Sequence, residues 1–461
     1  MKTSYDVRVW KIKPYKGKRG TTYTVRWTVD GQEKNHPPFA TFALADAFRS
    51  QLKTAMGKGE PFDTDTGLPV SMLKKTSTML WYDLAAAYAD VKWKRSSAHS
   101  RKNRAEALMT ATIALLRKGP SGFNPVDVRT ALRAWAFNSD RRPTAPREVN
   151  AIPRWVKLNC RTVDALTDPQ VTRLVLDAIT SRLDGKPAAP STVRRRRSIL
   201  YNVGLYGVES GAFEANPFEG LQSATGKSAR AIDKRCLINP AQAKALLAHV
   251  KANRWGGRRL HALLATLYYA GLRPEEATAL RVRDLALPEE GWGEILLHTA
   301  RPEVGSQWTG NGTPYESRHL KARDEGDIRP VPAHPILVAI LRDYIKNPGS
   351  NTAPRPALKP DERLFPGAHG GEMSGEVYRR AWAKARQKVL TPAEYASPLG
   401  KRVYDLRHTC LTTWLNSGVA PARVAAWAGN SVPILLAIYV NCITGDEDDM
   451  KRRIEDALPN E

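Results

Sequence analysis

The chain is poor in cysteine. Only Cys160, Cys236, Cys410 and Cys442 occur among 461 residues, and they are widely spaced. Disulfide frameworks and zinc sites need closely spaced cysteines, so the sequence argues against both and fits a reducing cytoplasm. It also lacks any run of 18 apolar residues, and its basic start contains no hydrophobic signal-peptide core. We therefore expect a cytoplasmic protein with no membrane-spanning segment.

Acidic residues are scarce relative to basic ones. The chain carries 71 Lys and Arg against 46 Asp and Glu, which gives a formal net charge of +25 at pH 7. Such an excess favours a polyanionic partner, most simply nucleic acid, over a membrane surface. The length of 461 residues, 42% of them hydrophobic, predicts two to four domains that each bury a core.

Residues 1–70 are predicted to form a small α+β domain. Strand-forming runs occupy 7–11, 22–29 and 33–39, Asp30-Gly31 is a hairpin turn, and a helix follows over 44–56. Basic side chains surround this predicted three-stranded sheet, among them Lys16, Lys18 and Arg19. We interpret them as a DNA-binding face. An ordinary solvated surface is the alternative.

Residues 72–226 are predicted to be mostly helical, with helices over 81–93, 101–117, 125–137, 146–158, 168–183 and 191–207. Pro153 is expected to break or kink the fourth helix. The last helix begins with four adjacent arginines, Arg194, Arg195, Arg196 and Arg197. We interpret this run as a phosphate-binding surface, because such contacts position a protein on DNA. A solvated charge run is the alternative.

A third domain is predicted over 241–461, after a basic linker at 227–240. Arg273 lies on a turn between two predicted helices, three residues before Glu276. Strands are predicted over 294–298, 318–321 and 328–331, with a hairpin joining the last two. Three basic residues occupy this hairpin region, Lys321, Arg323 and Arg329, and we interpret Arg323 or Arg329 as a phosphate contact. An exposed strand-end lysine is the alternative interpretation of Lys321.

The stretch from Tyr404 to Tyr439 predicts three short helices. Asp405 is a candidate N-cap of the first, Pro421 can open the second, and glycines at 418 and 429 can end the first two. Arg407 lies near the start of the stretch and Tyr439 at its end.

These residues resemble the signature of the tyrosine recombinases, or phage integrases. The family's usual form is His-x-x-Arg, then Leu-Gly-His, then a nucleophilic Tyr. Here Tyr404-x-x-Arg407 is followed by Ala428-Gly429-Asn430 and by Tyr439. Tyr404 therefore stands at the first family histidine and Asn430 at the second. Two further stretches resemble motifs of the same family. Gly271-Leu-Arg-x-x-Glu276 resembles its first arginine motif, and Lys321 occupies the place of its catalytic hairpin lysine.

The resemblance implies a fold that is mainly α with small β elements, as in an actinobacterial-type integrase. An arm-type DNA-binding domain would hold the three-stranded sheet and helix, followed by a helical core-binding domain and an α+β catalytic domain. It implies cytoplasmic action in a bacterium, on attachment sites in double-stranded DNA, by a homotetramer. A host DNA-bending protein and a directionality factor are further candidate partners.

The resemblance also implies roles for individual residues. Tyr439 would form a 3′-phosphotyrosine, two arginines would clamp the phosphate, and a lysine would act as general acid, without a metal or other cofactor. Tyr404 and Asn430 would assist. The remaining members of this set are Arg273, Arg407, Lys321 and the supporting residues Glu276 and His408. We interpret His408 itself as a structural histidine.

Three alternatives stay open. A resolvase-type recombinase acting on chromosome dimers has the same chemistry, but the additional N-terminal domain disfavours it. A DNA-binding regulator of the same fold could have weakened activity, since both usual histidines are replaced. The intact set of Arg273, Lys321, Arg407 and Tyr439 disfavours that reading. A type IB topoisomerase is disfavoured by the N-terminal sheet and the linker.

Overall fold

A computed structural model describes most of the chain: residues 2–17, 20–73, 78–120, 122–219, 231–254, 256–320, 326–349, 355–367, 370–442 and 447–458. The chain divides into two compact units. The first is Met1–Met79 with Thr162–Asp164, and the second is Leu80–Arg161 with Ala165–Glu461. The described residues are mainly helical with small antiparallel sheets, which confirms the predicted fold class. The predicted domain boundaries at 70, 227 and 240 stay predictions.

The first unit is built from short strands and one helix: β1 (Thr3–Ser4), β2 (Val7–Val9), β3 (Lys13–Gly17), β4 (Gly20–Thr24), β5 (Arg26–Val29), β6 (Gln32–Asn35), α1 (Phe42–Gly57) and β7 (Phe62–Asp63). The central sheet has the order β2-β5-β6, and α1 packs on it around Trp27 and Leu52. Asp30 and Gly31 both have positive φ, 52° and 74°, as a tight hairpin turn requires. The β3–β4 hairpin was not predicted, because β3 is exposed and contains Pro14 and two lysines rather than alternating apolar residues.

The first half of the second unit is a helical bundle: α2 (Trp81–Trp93), α3 (Ala98–Ala114), α4 (Pro125–Ala131), α5 (Arg147–Asn159), α6 (Pro169–Thr180) and α7 (Pro190–Glu209). A π-helical turn, Leu132–Ala136, continues α4. Of the two expectations for Pro153, a break of the fourth helix is wrong, since α5 runs through it with Pro153 buried, and a kink stays a prediction. Burial among the bundle's apolar side chains offsets the loss of one backbone hydrogen bond.

The second half combines helices with a small sheet: α8 (Pro240–Lys251), α9 (Gly257–Tyr269), α10 (Pro274–Ala277), β8 (Leu285–Ala286), β9 (Gly293–Leu297), β10 (Thr299–Ala300), β11 (Arg318–His319), β12 (Arg329–Ala333), α11 (Pro335–Lys346), α12 (Gly375–Val389), α13 (Pro392–Ala396), α14 (Tyr404–Asn416), α15 (Pro421–Ala428), α16 (Val432–Tyr439) and α17 (Glu447–Ala457). A large apolar core joins α8, α9, α11 and α12 to β9 and β12.

Two local predictions in this half need correction. The strand at 318 was expected to form a hairpin with the strand at 328, but among the described residues β11 pairs with β10, and β12 pairs with β9. The long segment between β10 and β11 allows β11 to return beside β10, and β12 then pairs with β9. Asp405 is not the N-cap of α14. It lies in the first turn, and its carboxylate accepts the backbone N–H of Arg402 at 2.8 Å.

The segment between β10 and β11 packs against the helical bundle. Trp308 is 1% exposed, and its carbonyl accepts from Arg101 Nη1 at 3.2 Å. Asn138 Nδ2 donates to the Gln307 carbonyl at 2.7 Å, and the Ala98 N–H donates to Glu316 Oε1 at 2.7 Å. We call residues 307–316 with their three bundle partners the 307–316 clasp.

No single helix in the described residues has both the length and the apolar character needed to cross a bilayer. One bent pair, Pro421–Ala428 with Val432–Cys442, meets these criteria only when both members are counted together.

Candidate active site

The buried carboxylate of Glu276 is the centre of the site. Its side chain accepts the Arg273 backbone N–H at 2.9 Å and Arg273 Nη1 at 2.7 Å. This geometry follows from the local sequence. Arg273 precedes Pro274 at the first position of α10, and Glu276 is placed to reach back to the start of the helix, as in a capping box. The turn therefore fixes both the carboxylate and the first arginine.

Two further guanidinium groups approach the same carboxylate. Arg329 on β12 lies 2.7 Å from Glu276 Oε2, and Arg407 on α14 lies 3.9 Å from it. Burial raises the pKa of Glu276, but the charges of Arg329, Arg273 and Arg407 outweigh it, so the pKa falls below its ordinary value. Three cations around one anion leave an excess of two positive charges in a buried place. Such a cluster is suited to an anionic ligand.

Backbone carbonyls orient the two arginines of the sequence motifs. Arg407 donates to the carbonyls of Gly271 (2.5 Å) and Ala428 (2.7 Å). Arg273 Nη2 donates to the Gly429 carbonyl at 3.0 Å and to Asn430 Oδ1 at 2.9 Å. The carbonyls at the C-terminal end of α15 carry partial negative charge, which favours cations there.

Gly429 makes this convergence possible. It ends α15 in the left-handed conformation, with φ of 63°, where a side chain is strained. A Cβ on Gly429 would lie 2.1 Å from Arg329 Nη1 and 3.4 Å from Arg273 Nη1. Only glycine therefore lets the two guanidinium groups approach the chain at this point.

Tyr439, at the end of α16, belongs to the small core formed by α14, α15 and α16. The side chain is 1% exposed, and its hydroxyl lies 2.9 Å from His408 Nδ1. Burial raises the pKa of Tyr439, and the nearby charge of Arg407 acts in the opposite direction. Tyr404, half-buried on α14, contacts the edge of the His408 ring with 5.1 Å between ring centroids.

Comparisons with known proteins give sequence relatives but no family model. No protein-family model matches the chain. The Sinorhizobium fredii protein y4rC, named as an integrase/recombinase, is 30% identical over 213 residues, which cover 45% of this chain and 53% of y4rC. The tyrosine recombinase XerC of Nitrobacter winogradskyi is 28% identical over 164 residues, which cover 36% and 40% of the two chains. Over the matched stretches, the chain is similar to integrases and tyrosine recombinases. The match spans about half the length of these relatives.

Solved recombinase structures were found at low similarity. A Tn1549 transposon integrase fragment in complex with circular intermediate DNA is 16% identical, with a TM-score of 0.45 over 71% of this chain and 99% of that chain. A lambda integrase dimer bound to a core site is 10% identical, with a TM-score of 0.43 over 97% and 96% of the two chains.

The structure brings together most residues of the recombinase motifs. Arg273, Arg407 and Asn430 are linked through Glu276 and the end of α15, and Tyr439 lies in the core that α15 shares. Two predicted site residues, Lys321 and Arg323, lie outside the described residues. Among the described residues, no three His, Cys, Asp or Glu side chains are grouped as metal ligands.

The predicted DNA contacts divide into three groups. Arg194, Arg195 and Lys16 are exposed, and Arg197 is half-buried. Arg196 is half-buried: its guanidinium donates to the Ile179 and Ser181 carbonyls and pairs with the partly exposed Glu106 at 3.1 Å. These contacts occupy Nη1 and Nη2 of Arg196, and its role as a DNA contact stays a prediction. Lys18 and Arg19 lie outside the described residues.

Two features of the site were not recognised from the sequence. Arg329 was predicted as a phosphate contact, but its burial, with 1% exposure, and its pairing with Glu276 were not foreseen. His408 was interpreted as a structural histidine, and its hydrogen bond to Tyr439 was not foreseen. His408 follows Tyr404 by one helical turn, so both side chains lie on the same face of α14. That spacing was the signal in the sequence that His408 lies near the site.

Proposed function

We propose that this chain is a site-specific DNA recombinase that cuts and rejoins DNA through a covalent link to Tyr439. The observation that supports this most is the buried cluster of Arg273, Arg329 and Arg407 around one carboxylate. In the proposed reaction, the scissile phosphodiester supplies the anion that this excess positive charge lacks. Preorganised cations aimed at developing negative charge are the largest single source of catalysis in reactions of this type.

The two motif arginines would hold the non-bridging oxygens of the phosphate. A guanidinium has five N–H donors in a rigid fork. Arg407 uses two of its donors on backbone carbonyls, so the rest remain for a ligand. Asn430 would act indirectly, since its amide oxygen fixes the Arg273 fork. Arg329 is the third candidate: its Nε and Nη1 are buried and have no hydrogen-bond partner among the residues that the structure describes.

Tyr439 would be the nucleophile. Its oxygen would attack phosphorus, the bond from phosphorus to the 5′ oxygen would break, and the 3′-phosphotyrosine would conserve the bond energy for rejoining. Lys321, outside the described residues, is proposed as the acid that protonates the leaving 5′ oxygen. The proposed reaction needs neither metal nor other cofactor, because the guanidinium groups supply the positive charge.

We also propose that the reaction integrates a phage or other mobile element into a bacterial chromosome. The basic N-terminal unit supports this over the resolvase-type alternative. The finer assignments are proposals of the same kind: an arm-type DNA-binding unit, contacts from Arg194, Arg195 and Lys16, a homotetramer on attachment sites, a host DNA-bending protein, and a directionality factor.

A nicked duplex that traps the covalent intermediate tests the proposal. DNA fragments that the protein binds are selected first, and the nicked duplex is made from one of them. Wild type and Tyr439→Phe are then compared on a denaturing gel. We expect a covalent protein–DNA band with wild type alone, while both proteins bind the duplex equally.

Two outcomes would contradict the proposal. A band that persists in Tyr439→Phe would mean that another residue is the nucleophile. No band with wild type, on a duplex that it binds, would favour a DNA-binding regulator.

A further inference from the structure

The Tyr439 hydroxyl has one hydrogen-bond partner among the described residues, the imidazole of His408. His408 follows Arg407 on α14 and is 9% exposed. Its Nδ1 lies 2.9 Å from Tyr439 Oη, which is within reach of direct proton transfer. The contact places an imidazole directly on the hydroxyl that the proposed reaction must deprotonate.

Other groups near this hydroxyl are poor proton acceptors. The guanidinium of Arg407 is a hydrogen-bond donor with no acceptor atom. The Asp405 carboxylate is occupied by Arg402, which donates to it from its backbone N–H, Nε and Nη2 at 2.8, 3.1 and 2.9 Å. Tyr404, which stands at the family's histidine position, carries the same phenol group as Tyr439 and so offers no better acceptor. Among the described residues considered, His408 is left as the chemically suitable acceptor.

We propose that His408 accepts the proton of Tyr439 during attack on the phosphate, and so supplies the base that the replacement of the family histidine by Tyr404 removed. This inference rests on the proposed function. As the bond from Tyr439 Oη to phosphorus forms, the phenolic proton moves to Nδ1 of a neutral imidazole. The bond from phosphorus to the 5′ oxygen breaks, and that oxygen takes its proton from the general acid. Rejoining reverses each transfer, so atoms and charges balance.

The environment of His408 suits this role. Burial lowers the pKa of His408 to about 4, so the ring is neutral at pH 7 and Nδ1 can accept. A phosphodiester at attack distance from Tyr439 brings negative charge close to the ring and raises the pKa of His408 toward the working pH. His408 also lines a surface cleft through which a proton can exchange with solvent. The titratable and charged groups that face the ring are Tyr404, Asp405, Arg402, Arg407, Tyr439, Asp233, Cys236 and Lys401.

The test is the rate of covalent adduct formation on the nicked duplex as a function of pH. For wild type we expect the rate to rise with pH through the pKa of His408 in the DNA complex and then level off. His408→Gln keeps a hydrogen-bond acceptor for Tyr439 but cannot take up a proton. We expect it to bind DNA like wild type, to form adduct about 10²–10⁴-fold more slowly, and to lose the rise with pH.

His408→Ala with added imidazole provides a second measurement. We expect added imidazole to raise the rate of adduct formation by His408→Ala at least tenfold, with a pH dependence that follows the pKa of imidazole. Such a rescue would support proton transfer by His408 rather than a positioning role. If His408→Ala does not fold, His408→Gln alone decides. A wild-type rate and pH profile in His408→Gln would overturn the inference.

Tyr404→Phe distinguishes the two candidate proton acceptors on α14, Tyr404 and His408. If Tyr404→Phe removes the rise with pH while His408→Gln keeps it, Tyr404 is the proton acceptor and the inference is wrong. The proposed function has its own control, because wild-type adduct that is absent in Tyr439→Phe supports it whatever His408 does. If wild type forms no adduct on DNA that it binds, both proposals fail together.

Discussion

The Glu276 cluster and the 307–316 clasp are two places in the second unit where distant parts of the chain meet. They differ in the kind of interaction that joins those parts. The first gathers three guanidinium groups around one buried carboxylate. The second buries one indole and adds hydrogen bonds to backbone groups. Burying charge costs free energy, whereas burying an indole stabilises the fold. The contrast indicates that the cluster is maintained for a ligand and the clasp for stability.

Glu276→Gln should have the largest effect, because it removes the only anion in the cluster. Three guanidinium groups would then face one another in a buried place, and we expect a loss of about 3–5 kcal/mol in the free energy of unfolding. Urea unfolding of the full chain at pH 7 measures it. The pKa of Glu276 is lowered in the folded state. Its contribution is therefore present above the ordinary carboxyl pKa and is lost as the pH falls through the lowered one, so the difference from wild type shrinks in acid.

Glu106→Gln is the matched control for this change. Glu106 also pairs with an arginine, Arg196 at 3.1 Å, but its side chain is 39% exposed. An exposed partner is screened by water, so we expect a loss below about 1 kcal/mol. Equal losses in the free energy of unfolding for Glu276→Gln and Glu106→Gln would mean that the carboxylate contributes no more to stability in the buried cluster than in the partly exposed pair.

Trp308→Ala tests the other side of the comparison. Truncating a buried indole leaves a cavity, and we expect a loss of about 3 kcal/mol in the free energy of unfolding. Adduct formation by the folded protein should stay within a few-fold of wild type, since no cluster residue changes. Trp292→Ala is the control, because Trp292 is 58% exposed and its loss should cost about 0.5 kcal/mol or less. A clasp variant that lost adduct formation before it lost stability would contradict the division of roles.

The sequence was most informative where local rules decide the structure. Helix α2 begins and ends at the predicted residues, and Pro421 and Gly429 begin and cap α15 as predicted. In both helices the apolar spacing and the capping residues act within one or two turns. The motif residues Arg273, Arg407 and Tyr439 were found in the same way, from short patterns that need no knowledge of the fold.

What the sequence did not reveal depends on contacts between distant residues. His408 and Tyr439 are separated by 31 positions, and Arg329 meets Glu276 only because β12 pairs with β9 rather than β11. The clasp lies in a Gly-rich insertion with no hydrophobic period, so its docking on the bundle left no pattern to read. Pairing and docking of this kind are properties of the assembled core.

Apart from the controls, Asn138→Ala should have the smallest effect, and it gives the sharpest test of the clasp. The side chain is buried, donates to the Gln307 carbonyl at 2.7 Å, and accepts the Arg141 N–H at 3.1 Å. Its removal should cost about 1–2 kcal/mol. Asn150→Ala is the matched control, because Asn150 donates to the Ala145 carbonyl at 2.8 Å within the bundle.

A double-mutant cycle then separates the clasp from ordinary bundle stability. If residues 307–316 dock as one piece, Trp308→Ala already frees the Gln307 carbonyl, so adding Asn138→Ala should cost less than it does alone, by about 0.5 kcal/mol or more. Asn150→Ala should instead add fully to Trp308→Ala, because its hydrogen bond lies in another part of the bundle. Additive behaviour of both pairs would show that the indole and the hydrogen bond stabilise the fold independently, and the clasp would then not be one structural element.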